Sequence, residues 1–516
     1  MAVFVGGCQL LAALLALDRS APPRPARPPQ LLTNRTVDAN FFATIHQTLS
    51  RHPEQVLVVW PAAPAQGPAA VSYTGRAILE RVQTIRQALA DARVRPAQAV
   101  LLALPVSLDL IAGVLACMAL GAVPVLLPAA ASAGAVPGLM RRGHVRAVLV
   151  PRPLRWPARL LARTCGVQLV ALSELPEVAA AVAEAGPVPG GQAALVSHSS
   201  GSTGQPKAIR RSHAVLLAQH QAIKRVFPPW AGQRDFPLFP NVLLHNLAAG
   251  VVSILPDVPW CHDGQFDPAR VVAQLVRERV QTLTGNVAYF RQLLTYLAHY
   301  PTPLPEVLAV GIGGSPVPEP LAQELRRAFP GAAVHIIYGA SEAEPIAVRE
   351  VTSALVSPLA GYCVGPVHPG LHWRIRPLGT LRRGAGPGPL VGEIQVSGPH
   401  VATPQPGQWL STGDFGYVAH GLLYLTGRLG NEQLHEGVQH YQIEHLLYHL
   451  PGVERVAARA EAAGFTVFVQ GSVSRAAVAE LLAQHFSPTL CRAIHFRPSL
   501  PVDARHHSKI LYAQLR

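Results

Sequence analysis

The sequence predicts an α/β protein with a large N-terminal domain of layered sheets and helices and a small α+β C-terminal domain. Its 516 residues are 49% hydrophobic and only 14% charged, which is enough apolar material for a large core. From about residue 37, helical segments alternate with short, continuous apolar runs. Such runs are typical of strands buried on both faces of a largely parallel sheet. After Arg428 this rhythm gives way to a short, helix-bearing segment.

The predicted elements follow one another in a regular order. Helices are predicted near residues 39–51, 75–92 and 108–120, and strands at the sequences QVLVVW, AVLLAL and VPVLLP. The same rhythm returns at 145–151, 167–172, 193–197 and 307–338. The Pro/Gly-rich stretch 378–393 is predicted to be a turn that leads into the strand EIQVSG. We therefore place an apolar segment and linker at 1–36, the large domain at 37–428 and the small domain at 429–516.

The first residues of the chain raise the question of a membrane segment. Residues 2–17 are apolar, but they lack a basic leading segment and a convincing cleavage site, and they are shorter than a bilayer span. We interpret them as an amphipathic or buried helix before the proline-rich linker APPRPARPPQ, with peripheral membrane contact as the alternative.

Net charge indicates which classes of ligand the protein binds, and cysteine content indicates its cellular compartment. The formal net charge of +14 arises from few acidic residues as much as from many basic ones. It suits anionic substrates such as ATP or a coenzyme, and the sequence contains no dense basic tract that would indicate nucleic acid binding. The six cysteines are scattered, with no C-x-x-C pair: Cys8, Cys117, Cys165, Cys261, Cys363 and Cys491. The expected compartment is therefore the reducing cytoplasm.

Lysine is rare in this chain, and its positions are informative. Only three of the 43 Lys and Arg residues are lysines. Lys207 ends the sequence SSGSTGQPK and Lys509 lies in HSKI, whereas Lys224 belongs to no motif. A compact ammonium on a flexible stem reaches a phosphate or carboxylate as a point charge, which a planar guanidinium does not always do. We therefore predict functional roles for Lys207 and Lys509.

The segment before Lys207 has the composition of a phosphate-binding loop. A strand-like run, AALVS, leads into Ser199, Ser200, Gly201, Ser202, Thr203 and Gly204. Glycines let the backbone close on an anion, and successive N–H groups and hydroxyls supply hydrogen-bond donors. The G-x-x-x-x-G-K-[ST] pattern of a Walker A loop is absent, so this is another type of phosphate site.

Further motifs follow downstream in a fixed order: Gly313-Gly314-Ser315, Tyr338-Gly339-Ala340-Ser341-Glu342, Ser411-Thr412-Gly413-Asp414 and Gly427-Arg428. With the Lys207 and Lys509 segments, this order resembles the adenylate-forming superfamily of acyl-CoA synthetases, peptide-synthetase adenylation domains and luciferases, over roughly residues 37–516. Within it, the segments 234–250 and LPVDARHHSKI are most similar to the branch that contains the β-lactone synthetases of bacterial olefin biosynthesis.

The resemblance implies ATP and Mg²⁺ as cofactors. The segment from Ser199 to Gly204, with Lys207, would hold the β- and γ-phosphates. Gly313, Gly314 and Ser315 would lie against the adenine and the acyl pocket, and Tyr338, followed by Gly339, would stack on the base. Asp414 would accept hydrogen bonds from the ribose hydroxyls.

The resemblance also implies the residues that act in the reaction. The Ser341 hydroxyl would meet the α-phosphate or the substrate carboxylate, and Glu342 would be a magnesium ligand. Arg428 would contact ribose or phosphate at a hinge between the domains. A mobile C-terminal domain would deliver Lys509, which would bridge the attacking carboxylate and the α-phosphate. Lys509, Lys207, Ser341 and Arg428 would thus be the catalytic residues.

The implied reaction activates a fatty or β-hydroxy fatty acid to an acyl-adenylate with release of pyrophosphate. The substrate's own hydroxyl would then attack the activated carbonyl, close a β-lactone and expel AMP, a step favoured because the nucleophile is tethered. Other enzymes of a lipid pathway are possible partners.

Two alternatives to the lactone reaction stay open. The loop at 429–437 is short and lacks the Lys-x-x-Gly pattern that relatives carry before the acid matching Glu444, so use of coenzyme A is in doubt. An acyl-CoA ligase is nevertheless the first alternative, and a non-catalytic nucleotide or acyl sensor or scaffold is the second. A metal site at His445 and His449, which would share a helix face, is less favoured than a structural role.

Overall fold

The structure is a computed structural model that describes residues 39–61, 70–127, 138, 140–141, 143–152, 166–175, 185–200, 206–256, 267–354, 356–383, 386–403, 405, 407–503 and 508–515. Residues 36–516 form one compact unit. The apolar segment at 2–17 and the loop residues 201–204 lie outside the described residues, so the predictions made for them stay predictions. No helix in the ranges given above is long and apolar enough to cross a membrane.

The described helices include ten of eight residues or more. They are α1 Phe41–Arg51, α2 Gly75–Asp91, α3 Leu108–Ala119, α4 His213–Val226, α5 Pro240–Ala249, α6 Pro268–Arg277, α7 Val287–His299, α8 Glu319–Ala328, α9 His440–Leu447 and α10 Arg475–His485. The first three coincide within two residues with the helices predicted from the sequence. At α1 the Asn40 side chain accepts a hydrogen bond from the backbone N–H of Phe42 at 3.0 Å, which caps the helix.

The strands are β1 Val56–Trp60, β2 Val71–Thr74, β3 Ala99–Leu102, β4 Val123–Leu126, β5 Val145–Val150, β6 Gln168–Ala171, β7 Ala193–Ser200, β8 Pro206–Ser212, β9 Arg234–Pro237, β10 Val252–Ile254 and β11 Thr282–Asn286. They continue with β12 Ala309–Gly313, β13 Ala333–Ala340, β14 Ala343–Glu350, β15 Tyr362–Gly365, β16 His372–Arg383, β17 Gly386–Ser397, β18 Leu410–Ala419, β19 Leu422–Arg428, β20 Val453–Glu461, β21 Gly464–Gly471 and β22 Cys491–Phe496.

Two mixed sheets form the centre of the large domain. One has eight strands in the order β14-β13-β12-β11-β9-β10-β1-β2, and the other has six in the order β6-β5-β3-β4-β7-β8. Their inner pairs are parallel, while the edge strands β2, β14 and β8 run antiparallel to their neighbours. The predicted parallel arrangement of apolar strands between helices is therefore present, and antiparallel strands close it at three edges.

A five-stranded antiparallel sheet, in the order β15-β19-β18-β17-β16, follows these layers. Its existence makes the predicted turn at 378–393 wrong, because most of that stretch belongs to the paired strands β16 and β17. The glycines and prolines are accommodated at two irregularities in the pairing, between Pro377 and Gly379 and between Thr380 and Arg382. Apolar side chains hold the hairpin in place, since Val391 is fully buried and Leu381 nearly so.

The chain after Arg428 forms the predicted small α+β region. Its three-stranded sheet has the order β20-β21-β22, with α10 and a core that includes Val467, Val469 and Val478. Every residue of α9 is buried, because Ile443 and Leu447 belong to this core while Tyr441 belongs to the core of the eight-stranded sheet. The boundary at 428/429 stays a prediction, and α9 packs on both sides of it.

Candidate active site

Tyr338, Asp414 and Arg428 form a hydrogen-bonded group. The Tyr338 hydroxyl donates to Oδ2 of Asp414 at 2.9 Å, and Nη1 of Arg428 donates to Oδ1 of the same carboxylate. Tyr338 and Asp414 are each only 9% exposed. Because both carboxylate oxygens are held, the Asp414 side chain has a fixed orientation, and each oxygen still has a lone pair for a further donor.

The local sequence explains why these residues meet. Strands β18 and β19 are joined at His420 and Gly421, whose φ angles of 50° and 75° suit a tight hairpin turn. The antiparallel register of this hairpin places Asp414 opposite Arg428. In addition, the Thr412 hydroxyl accepts the backbone N–H of Asp414 at 3.1 Å, which fixes the Thr-Gly-Asp backbone.

Electrostatics keep Tyr338 and Arg428 each in one protonation state. Burial raises the pKa of Tyr338 well above its usual range, and the Asp414 carboxylate raises it further. The same carboxylate raises the pKa of Arg428. Tyr338 therefore stays a neutral donor and Arg428 a cation at any physiological pH.

Lys207 and Glu342 form a second pair. Ser341 and Glu342 are the two-residue connection between β13 and β14, so Glu342 is presented at the end of a hairpin that also contains Tyr338. Nζ of Lys207 lies 3.6 Å from Oε1 of Glu342; the lysine side chain is 66% exposed and the glutamate 17%. An ion pair this exposed contributes little to stability, so the lysine can exchange its partner for a phosphate at small cost.

The Gly-Gly-Ser motif lies at the end of β12. A Cβ atom at Gly313 would lie 2.4 Å from the carbonyl oxygen of Ile337, so no side chain fits there. Gly314 has a φ of 81°, which favours glycine. The Ser315 hydroxyl is buried and has no hydrogen-bond partner in the part of the chain that the structure describes. A buried, unpaired hydroxyl of this kind is satisfied when a ligand or a water bonds to it.

The phosphate-loop motif connects β7 to β8. Ser199 pairs with Lys207 and Ser200 with Pro206 in the antiparallel register of these strands. The loop thus leaves and re-enters the sheet at neighbouring positions, and Lys207 stands at its exit. The side chains of Ser199 and Ser200 and residues 201–204 are outside the described part, so their predicted roles stay predictions.

Lys509 lies in the C-terminal segment. Its backbone N–H donates to Oδ1 of Asp503 at 3.0 Å, and its carbonyl accepts from the Asp503 N–H at 2.9 Å. Three residues later, the Tyr512 hydroxyl donates to Glu444 of α9 at 2.7 Å. These bonds anchor the segment to the small region. The structure therefore brings Tyr338, Asp414 and Arg428 together and pairs Lys207 with Glu342, while the backbone of Lys509 is held by Asp503.

A cavity of about 40 Å³, which no sequence pattern predicted, lies beside this site. Its polar lining comes from Arg211, Gln219, His220, His245 and Glu344, and its other walls are apolar. One signal was present in the sequence: Arg210 and Arg211 are adjacent on a strand, so their side chains point to opposite faces. Arg210 is exposed and Arg211 is 6% exposed, which places the second arginine inside.

Comparison with known proteins identifies the family. Residues 45–404 match the family of AMP-binding enzymes. The chain belongs to this family. It is similar to the olefin beta-lactone synthetase of Stenotrophomonas maltophilia (strain K279a), with 30% identity over 459 residues that cover 76% of this chain and 81% of that protein. The predicted family resemblance and the prediction of an AMP-forming, ligase-type enzyme are thereby confirmed.

Solved structures show the same fold. The amide bond synthetase of Marinactinospora thermotolerans superposes with a TM-score of 0.73 at 22% identity, covering 91% of this AMP-binding enzyme and 98% of that chain. The O-succinylbenzoate coenzyme A synthetase of Bacillus subtilis, in complex with ATP and magnesium ion, gives a TM-score of 0.72 at 20% identity, covering 92% and 99%. At these identities the likeness shows the fold, and it confirms the predicted fold class.

Proposed function

We propose that this AMP-binding enzyme activates a fatty or β-hydroxy fatty acid with ATP, and that a β-hydroxy acid then closes to a β-lactone with release of AMP. The observation that carries the proposal is the buried Asp414 carboxylate, oriented by Tyr338 and Arg428 beside the hairpin that bears Glu342. The similarity to an olefin beta-lactone synthetase supports the choice of product. We also propose a cytoplasmic location and other enzymes of a lipid pathway as partners.

Hydrogen-bond acceptors would hold the ribose of the nucleotide, and cationic side chains would hold its phosphates. Asp414 keeps acceptor capacity for the two ribose hydroxyls, and the aromatic ring of Tyr338 would stack on the base. The Ser315 hydroxyl, which lacks a partner among the described residues, fits a polar atom of the ligand. Lys207, with Ser199 to Gly204, would bind the terminal phosphates, and Lys509 would neutralise charge at the α-phosphate as the carboxylate attacks.

Glu342 fits a magnesium site by the chemistry of its donor atoms. Mg²⁺ prefers oxygen ligands and is commonly held by one or two carboxylates together with the phosphates of a substrate. Over the described ranges, no group of three or more His, Cys, Asp and Glu side chains is arranged to hold a metal ion by itself. A site completed by ATP phosphates agrees with that observation. When bound, the ion would neutralise phosphate charge; Glu342 would hold the ion and Lys207 would hold the polyphosphate.

The loop after Arg428 is short and lacks the Lys-x-x-Gly pattern of relatives, and this sequence feature is our reason to propose a second step without coenzyme A. The Gly437 carbonyl accepts the N–H of Arg382 at 2.9 Å, and the Glu436 carboxylate accepts the hydroxyls of Ser487 and Thr489 at 2.8 and 3.0 Å. The loop is thus fastened to both regions that it joins. In the proposed second step the β-hydroxyl oxygen bonds to the acyl carbon, the bond from that carbon to the phosphate oxygen breaks, and the hydroxyl proton leaves to solvent as AMP departs.

Product analysis tests this proposal directly. The enzyme is incubated with ATP and magnesium and either a β-hydroxy fatty acid or the matching simple fatty acid, with and without coenzyme A. Mass spectrometry is expected to show a product lighter than the β-hydroxy acid by one water, and coenzyme A is expected to change nothing. The simple acid should stop at the bound adenylate, because it lacks an internal nucleophile. Steady formation of acyl-CoA would assign the enzyme to the ligases, and no pyrophosphate from any acid would indicate a non-catalytic binding protein.

The substitution Glu342→Gln tests the magnesium site, because it keeps the shape and removes one charge. We expect the rate of pyrophosphate release to fall about 10- to 100-fold at low magnesium, since loss of an ionised oxygen weakens the metal site by this order. Raised magnesium should restore part of the rate. Glu350→Gln, an exposed glutamate on the same strand pair, is the control and should behave as wild type. A magnesium dependence equal to wild type in Glu342→Gln would show that this residue is no ligand.

A further inference from the structure

The cavity beside the candidate active site is joined to it through two strands. Arg211 lies four residues after Lys207 on β8, and Glu344 lies two residues after Glu342 on β14. Burial lowers the pKa of Arg211, and the carboxylates of Glu344 and Glu342 oppose that effect, so both act on it at short range. The cavity thus adjoins the place where we put the activated carboxyl group.

Two histidines in the cavity wall contact each other. Nδ1 of His220 on α4 lies 2.9 Å from Nδ1 of His245 on α5. Burial lowers the pKa of His220 to about 4 and that of His245 to about 3, so both rings are neutral at physiological pH. A neutral imidazole has one N–H, so one Nδ1 donates in this contact and the other accepts. The pair therefore offers one donor and one acceptor at its two Nε2 atoms, and neither Nε2 bonds to another described residue.

Arg211 adds a second sign that the cavity receives a polar group. Its side chain is almost fully buried, and Nη2 donates to the Ser197 hydroxyl at 3.1 Å. Its Nε, however, is buried with no partner among the described residues. Leaving a buried donor unsatisfied costs roughly 1–3 kcal/mol, so a ligand atom that accepts this hydrogen bond is favoured there.

We propose that this cavity binds the β-hydroxyl of the acyl substrate and that the His220–His245 pair positions it for lactone closure. A hydroxyl both donates and accepts, which matches the one donor and one acceptor of the pair. The volume of about 40 Å³ admits a small polar group. This inference rests on the proposed function and extends it, because the enzyme then selects hydroxy acids already at the adenylation step.

The test compares two acids of equal chain length, one with a β-hydroxyl and one without. The readout is kcat/KM for pyrophosphate release, expressed as the ratio of the hydroxy acid to the plain acid. We expect His245→Leu to lower this ratio about 10-fold, through the hydroxy acid alone, because the hydrogen bond between the hydroxyl and Nε2 of His245 is lost. His245→Gln, which keeps a polar atom near the Nε2 position, should retain most of the preference.

A matched control and a second variant separate this role from a general loss of structure. His335→Leu removes a half-buried histidine of β13 that packs on Phe227 and does not line the cavity; its ratio should equal wild type. If His245→Leu does not fold, His220→Asn serves instead, since it keeps a polar atom toward His245 and removes Nε2, and the ratio should again fall. An unchanged ratio in a folded variant, or no preference in the wild type, overturns this inference and leaves the proposed function intact. No pyrophosphate from either acid in the wild type contradicts the proposed function itself, and this inference with it.

Discussion

Lys509→Ala is expected to abolish adenylate formation while ATP binding survives. The ammonium would act on the charge that develops as the carboxylate attacks the α-phosphorus, and loss of such a contact costs about 10²-fold or more in rate. Lys207, Asp414 and Tyr338, which would hold the nucleotide beforehand, are untouched. The measurements are acid-dependent exchange of pyrophosphate into ATP for the chemistry and calorimetric titration for ATP binding.

The structure makes this variant easy to interpret. Lys509 bonds to Asp503 through its backbone N–H and its backbone carbonyl. Truncation of the side chain leaves both hydrogen bonds in place. A melting temperature close to that of the wild type would show that the variant is folded. Lys509→Arg should rescue poorly, because the planar guanidinium is bulkier than an ammonium.

Arg475→Ala is a suitable control for Lys509→Ala. It removes a cation from the same C-terminal region, where Arg475 donates to the Ile494 carbonyl at 2.6 Å and stacks over Phe496. Its exchange rate should equal wild type, because Arg475 has no role in the proposed reaction. If pyrophosphate exchange in Lys509→Ala also equals wild type, the C-terminal lysine is not the catalytic one.

Contacts between motifs close in sequence form part of the candidate site, while the roles of these residues stay predictions. Asp414 and Arg428 lie on adjacent strands joined by a His-Gly turn, and Tyr338 and Glu342 lie on one hairpin, so their placement depends on short-range pairing. The order of the motifs indicated the family, and the resemblance assigned these residues to one nucleotide site. What the order could not show is that Asp414 is held by both Tyr338 and Arg428, because that depends on how the eight-stranded and the five-stranded sheets pack.

The cavity was missed because it depends on packing between distant segments. His220 and His245 lie on different helices, and the sequence does not reveal which faces of α4 and α5 meet. The hairpin of β16 and β17 shows a different limit, because a Pro/Gly-rich composition indicated a turn while the two strands pair with each other through it. Burial of Leu381 and Val391 against Tyr417, which lies outside the hairpin, favours this pairing, and the local composition does not contain that contact.

Asp414→Ala is expected to raise the KM for ATP about 100-fold, because two hydrogen bonds from the ribose hydroxyls to an ionised acceptor would be lost, at roughly 1.5–3 kcal/mol each before compensation by water. The free energy of unfolding should fall by roughly 1–3 kcal/mol, since the buried Tyr338 hydroxyl loses its acceptor. We assign little of this to the ion pair, because the Arg428 side chain is 46% exposed.

Tyr338→Phe shows how much of the effect of Asp414→Ala comes from lost stability and how much from lost binding of ATP. It removes the hydroxyl that donates to Asp414 at 2.9 Å and keeps both the aromatic ring and the carboxylate. The KM for ATP should therefore change little, while stability falls by about 1 kcal/mol, the usual worth of one hydrogen bond. Asp414→Asn should lie between the two, because an amide still accepts from Tyr338 but carries no charge for Arg428 or the ribose. Urea titrations give the stabilities and pyrophosphate release gives the KM. If Tyr338→Phe raises the KM as much as Asp414→Ala, then the carboxylate acts through the packing of the strands and does not bind the ribose.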